Sequence, residues 1–123
     1  CLGPEQVFRD GQALRRVAGH PGSGEFALDS ARHVILGDDP AGHLVEVTTR
    51  IGWISIAASD VTVRGLRLRH AAGHEHTFAV VNPSRRVRLQ GNVLSDASGP
   101  GLTVAGFDHV VEGNEVFAVG ADG

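Results

Sequence analysis

Three histidines and a glutamate stand within seven positions of this chain, in the run His70-Ala71-Ala72-Gly73-His74-Glu75-His76. Imidazole and carboxylate groups exchange protons within reach of neutral pH, so such a cluster can supply a general acid or base. Aligning the later part of the chain with itself places Asp96 in one column with His70, and a His–carboxylate pair can orient one group and tune the other's proton affinity. His70, His74, Glu75, His76 and Asp96 are therefore the candidate catalytic residues. The competing reading is a solvated loop whose histidines do no chemistry. His74 and His76 would share one face of an extended segment, but no third spaced ligand is evident. Asp96 and Asp108 are too few and too separated for calcium, so neither a metal nor another cofactor is expected.

A second group is cationic. Six of the eleven arginines fall between positions 64 and 88. A guanidinium pairs with a carboxylate through two parallel hydrogen bonds, the geometry that uronic acids require, which makes Arg67, Arg69 and Arg88 candidate substrate-binding residues. Other arginines have nearer partners: Asp60, Arg86 and Asp108 share one column of the self-alignment, and Arg64, Gln90 and Glu112 share another. Those columns predict salt bridges between neighbouring strands. Trp53 precedes an apolar position and so should face outward, where its ring either stacks on a sugar or is covered by the N-terminal segment.

The elements that carry these residues are short. The 123 residues are 41% hydrophobic and 20% charged, with 17 Gly and 5 Pro, which bounds the chain at one modest domain with enough apolar side chains for a core. Up to residue 49 the sequence reads as strands at Gln6–Arg9, Glu25–Asp29, His33–Leu36 and Leu44–Thr48. Turns at Asp10-Gly11 and Gly37-Asp38-Asp39-Pro40 separate them. Only Gln12–Val17 could close a single helical turn, and the protein reads as all-β.

From residue 50 the chain repeats itself. Arg50–His70, His76–Asp96 and Ser98–Ala118 align without gaps at offsets of 26 and then 22 residues. The columns Ile54/Val80/Leu102, Val63/Leu89/Val111 and Leu68/Leu94/Val116 are apolar, and Gly65, Gly91 and Gly113 share another. Two more hold Ile56/Asn82/Val104 and Leu66/Asn92/Asn114. A repeat of this length predicts a solenoid in which each coil lays its strands on the last, with the apolar columns inside. In this alignment the loop after His70 is four residues longer than its counterpart.

The recurrent Gly91-Asn92 and Gly113-Asn114, within V-x-G-N-x-V/L-like segments followed by Gly101-Leu102-Thr103-Val104, resemble the right-handed parallel β-helix of the pectin lyase-like superfamily. The stretches Phe26-Ala27-Leu28-Asp29 and Val34–Gly42 are similar to the segment preceding the β-helix in many bacterial members. The resemblance implies a β-rich capping segment over residues 1–49 and about three β-helix coils over 50–123, cut off before most of the cleft. It further implies an exported, extracellular or cell-surface protein related to carbohydrate, with a polysaccharide, an acidic one among the candidates, and the remaining β-helix coils of the same chain as partners. That protein would be a polysaccharide lyase, glycoside hydrolase or epimerase, or else a non-catalytic β-helix used for adhesion, display or support. The aspartate pairs and Gly-His-Gly of polygalacturonases and the lysine motifs of several lyases are missing from these residues.

Composition narrows the classes further. All eleven basic residues are arginine and there is no methionine, which points to a piece of a longer protein. A net charge of −3 without any long block of one sign argues against a nucleic-acid coat. No run of 18 apolar residues predicts membrane insertion, and these residues hold no signal-peptide pattern. A Gly-rich phosphate loop, a nucleophile elbow and a Cys–His arrangement are all missing, and the lone Cys1 has no internal partner.

Overall fold

A computed structural model describes residues 6–72 and 77–120. The described residues contain no helix: they form fifteen short strands in five three-stranded sheets. The chain divides into two compact units, Cys1–Thr49 and Arg50–Gly123.

In the first unit the strands are β1 (Val7–Arg9), β2 (Gln12–Ala13), β3 (Arg15–Arg16), β4 (Glu25–Leu28), β5 (Val34–Leu36) and β6 (Val45–Val47). Asp10 and Gly11, at φ 51° and 80°, form the two-residue turn that pairs Arg9 with Gln12. An aspartate followed by glycine tolerates two left-handed residues, which matches the twist of the flanking strands. The helical turn allowed for Gln12–Val17 is not formed. Those residues supply β2 and β3, and the main chain of Leu14, Arg15 and Val17 donates to Val7, Gly24 and Phe26 instead of to its own preceding turn. One sheet runs β2-β1-β6 and is antiparallel, while the other runs β3-β4-β5 with a parallel first pair. Val7, Phe8, Phe26 and Ala27 are its buried apolar residues.

The second unit makes three passes, and each pass contributes one strand to each of three parallel sheets. The first pass holds β7 (Ile54–Ile56), β8 (Thr62–Arg64) and β9 (Arg67–Ala71). The second holds β10 (Phe78–Val80), β11 (Arg88–Gln90) and β12 (Val93–Ala97). The third holds β13 (Thr103–Val104), β14 (Val110–Glu112) and β15 (Glu115–Val119). The sheets are therefore β7-β10-β13, β8-β11-β14 and β9-β12-β15. Their facing side chains meet in one core of Ile56, Phe78, Val80, Val87, Leu89 and Leu94, with Trp53, Ile54, Val61, Val63, Leu68 and Leu102 packed around it.

Three corners turn each pass, and each corner is a column of left-handed residues. Asp60, Arg86 and Asp108 have φ of 62°, 52° and 59°, and Gly65, Gly91 and Gly113 have 68°, 61° and 63°. The third column is His70, Asp96 and Ala118, at 60°, 54° and 49°. Glycine adopts this conformation without steric cost, and aspartate is among the side chains that best tolerate it.

The register differs from the gapless alignment in one sheet. Leu89 pairs with Val63 and Val111, and Leu94 with Leu68 and Val116, as expected. In the first sheet, however, Val80 pairs with Ile56 and Val104, so the columns Ile54/Val80/Leu102 and Ile56/Asn82/Val104 are not formed. The second pass spends its extra length in two places. Part lies between Val80 and the Arg86 corner, at Val81-Asn82-Pro83-Ser84, and the rest lies after Ala71. A slip of two residues keeps every side chain on its original face, so the apolar pattern alone does not detect it.

Candidate functional site

His70 and Asp96 lie at the same level of adjacent strands, because Arg69 pairs with Ser95 and Ala71 with Ala97 on either side of them. Both are partly buried, and both occupy the left-handed bend within their strand. That bend resets the alternation: Leu68 faces the core, Arg69 is exposed, and Ala71 faces inward again at 1% exposure. The two residues thus shape the backbone whatever else they do. Ser95 Oγ donates to Asp96 Oδ2 at 2.7 Å. His74, Glu75 and His76 lie outside the described residues. Among the described residues no group of histidine, cysteine and carboxylate side chains is arranged to hold a metal.

The arginines divide between two faces. Arg67 and Arg69 stand exposed on β9, while Arg88 stands exposed on β11. Arg64 joins Arg88: Arg88 pairs with Thr62 and Gln90 with Arg64, so the two guanidinium groups are diagonal neighbours on one face. None of these four arginines has an ion-pair partner among the described residues. Sequence reasoning named three of them. Arg64 was assigned to a charge ladder with Gln90 and Glu112, but the bond that forms there runs from Gln90 Nε2 to Glu112 Oε1.

The other predicted ladder is present. Arg86 reaches Asp60 through two parallel bonds, Nε to Oδ1 at 2.6 Å and Nη2 to Oδ2 at 2.8 Å. Those bonds, reinforced by the guanidinium's charge, hold the Asp60 carboxyl below its usual range and push the Arg86 guanidinium up. Thr62, Arg88 and Val110 stand beside Asp60, Arg86 and Asp108, and the two columns bound a shallow groove of about 240 Å³ along the stacking direction.

Trp53 takes a different place from the outward one expected. Its ring packs against the core cluster, and Nε1 donates to the Arg69 carbonyl at 3.1 Å. It therefore ties the first pass to itself across β9 and is only partly accessible. A residue that sequence reasoning passed over is His109. It occupies the column of Val61 and Val87, and it folds back so that Nδ1 accepts the Val87 N–H at 3.1 Å while Nε2 lies 3.1 Å from the Ala105 carbonyl. A polar residue in an apolar column was the available signal.

Comparison with protein-family models, with curated proteins and with solved structures returned no match.

Proposed function

We propose that residues 50–123 are coils of a right-handed parallel β-helix of the pectin lyase-like kind, and that exposed arginines on two of its sheets hold an acidic polysaccharide. The strand order supports the first part: three sheets each take one strand per pass in the same order. Parallel crossovers are right-handed in nearly all proteins, which favours the right hand. The observation that carries the second part is the set of four exposed guanidinium groups, Arg64, Arg67, Arg69 and Arg88, without carboxylate partners among the described residues. Elsewhere on this unit Arg86 is neutralised by Asp60, whereas these four have no carboxylate among the described residues and are open to an external one. An exported, cell-surface setting and a glycan-modifying role belong to the same reading, with His70, His74, Glu75, His76 and Asp96 as the acid–base loop.

Binding and turnover are separable. A panel of acidic and neutral polysaccharides tests the first by retention on immobilised glycan and the second by product release. Retention on the acidic members that falls with Arg67→Gln, Arg69→Gln and Arg88→Gln supports the glycan reading. Equal retention of the parent and the triple variant defeats it. Loss of product release in His70→Ala or Asp96→Ala, with retention kept, supports catalysis. A second reading, a non-catalytic β-helix for adhesion or support, is favoured by the Asp60–Arg86 pair and the stacked asparagines, which spend polar groups on holding passes together. Binding without any product release selects it.

A further inference from the structure

The groove on the β8-β11-β14 sheet has two walls that differ in what they leave free. One wall is the corner column Asp60, Arg86 and Asp108, and the other is Thr62, Arg88 and Val110. Arg86 commits its fork to Asp60 through the two parallel bonds, and Asp108 lies near enough on its other side to add to the charge around it. Arg88, on the opposite wall, has no carboxylate partner among the described residues. It stands on the middle strand, between Thr62 on β8 and Val110 on β14, so its neighbours on both sides are set by the three passes themselves. Of the four exposed arginines without a carboxylate, Arg88 is the one that lines the groove.

The main chain of the floor is already committed. The Val61 carbonyl accepts the Arg88 N–H at 2.8 Å, the Val87 carbonyl accepts the Val110 N–H at 2.9 Å, and the Val87 N–H donates to His109. Recognition therefore falls to the side chains of the walls: one free guanidinium, the Asp108 carboxylate, the Thr62 hydroxyl and the apolar surface of Val110. We infer that this groove is a subsite for a single hexuronate residue, whose carboxylate lies on the Arg88 guanidinium while its ring hydroxyls bond to Asp108 and Thr62 and its C–H face rests on Val110. The inference rests on the reading of this unit as a binder of acidic polysaccharide and fixes where one sugar is held.

Size and charge both select this ligand. About 240 Å³ falls below the roughly 300–1,000 Å³ of pockets for drug-sized ligands, so the groove suits one sugar ring. A neutral sugar leaves Arg88 unanswered. Sulfate brings acceptors only, and meets the Asp108 carboxylate with like charge and no donor. An α-amino acid carries both its charges on one carbon, whereas Arg88 and Asp108 stand on opposite walls and on different strands. A hexuronate sets its carboxylate and its hydroxyls on separate ring atoms, and a guanidinium takes the carboxylate through two bonds.

The probe is sodium galacturonate, followed through the Arg88 Nε–Hε signal in proton–nitrogen NMR spectra of the intact chain, with Arg88→Gln identifying the signal. The signal should shift saturably, and Asp108→Asn should weaken the binding roughly three- to tenfold. Asparagine tolerates the left-handed bend and Asp108 is exposed, so that variant should fold like the parent. Galactose and sodium sulfate at the same concentrations should leave the signal in place. No saturable shift, an equal response to galactose or to sulfate, or equal affinity in Asp108→Asn overturns the subsite. An acidic polysaccharide retained by the parent while galacturonate leaves Arg88 unmoved overturns the subsite alone and keeps the glycan reading. Saturation at Arg88 with no acidic polysaccharide retained defeats the glycan reading alone and keeps the groove as a site for the monomer.

Discussion

Asn92 shows how much a single buried amide holds together. At 1% exposure it accepts the Leu66 N–H and donates to the Val63 carbonyl and to Asn114 Oδ1, which links all three passes at the glycine corner. Asn114 in turn donates to the Leu89 carbonyl at 2.7 Å. Replacing Asn92 by alanine leaves the Leu66 N–H unanswered and removes the side-chain bonds to the Val63 carbonyl and Asn114, so Asn92→Ala should cost about 2 kcal/mol in urea unfolding. Asn92→Asp should cost more, because a carboxylate would face the Val63 carbonyl. Equal stability of the parent and Asn92→Ala would show that the ladder is incidental. In the first unit, Asp38 accepts the Gly24 N–H and pairs with Arg9 at 2.7 Å. The Gly24 amide first, then the Ser23 hydroxyl and Arg9, hold its carboxyl below the usual range. Asp10, Glu25 and Asp29 shift the same way through backbone amides. A depressed carboxyl stabilises the fold fully above the ordinary carboxylate range, about pH 4, and ceases to do so as pH falls through its lower folded value. The stability gap between the parent and Asp38→Asn should thus be present at neutral pH and close in acid. A gap that does not change with pH would refute the assignment.

At the scale of the element, the corners decide what each strand can present. Gly65 and Gly106 both have positive φ, at 68° and 121°, but their surroundings differ. A Cβ at Gly65 meets nothing within 4 Å, whereas one at Gly106 runs into the Ser84 carbonyl and the His109 ring. Gly65→Ala should therefore cost only the left-handed backbone term, about 1 kcal/mol. Gly106→Ala should cost well above that, roughly 2–4 kcal/mol, and should loosen the third pass first in hydrogen exchange. The reverse order of costs would place the His109 clasp elsewhere. Two of the three corner columns were hard to read in advance. The glycine column announces itself, but Asp60, Arg86 and Asp108 read as a charge ladder, and His70 and Asp96 read as an acid–base pair. Ala118, in the same column as His70, has neither function, and its left-handed φ is set by the bend its neighbours make.

For the whole molecule, the three sheets of residues 50–123 share one core, so that unit should unfold as one. Leu89, 2% exposed at its centre, should cost about 3 kcal/mol when changed to alanine, with a single transition retained. Leu89→Asp places a charge among Val80, Val87 and Leu94 and should abolish cooperative unfolding altogether. If the three sheets were to melt separately in Leu89→Ala, the common core would be wrong. Much of this architecture was legible in the residues. Strand content and the columns through Leu89, Leu94 and Asn92 follow from side-chain type and spacing, because apolar periodicity and repeated turn residues are local properties. Register in the first sheet was not legible, since Val80 over Ile56 and Val80 over Ile54 bury equally apolar pairs. The sites followed the same division. Sequence alone determined which residues could carry charge or protons, while the tertiary structure decided that Arg86 is answered by Asp60, that Trp53 packs against the core and that His70 and Asp96 share a left-handed bend of the backbone. Those outcomes depend on which strand lies next to which, and adjacency across 22 to 26 residues is set by the path of the intervening loops rather than by the residues that come to touch.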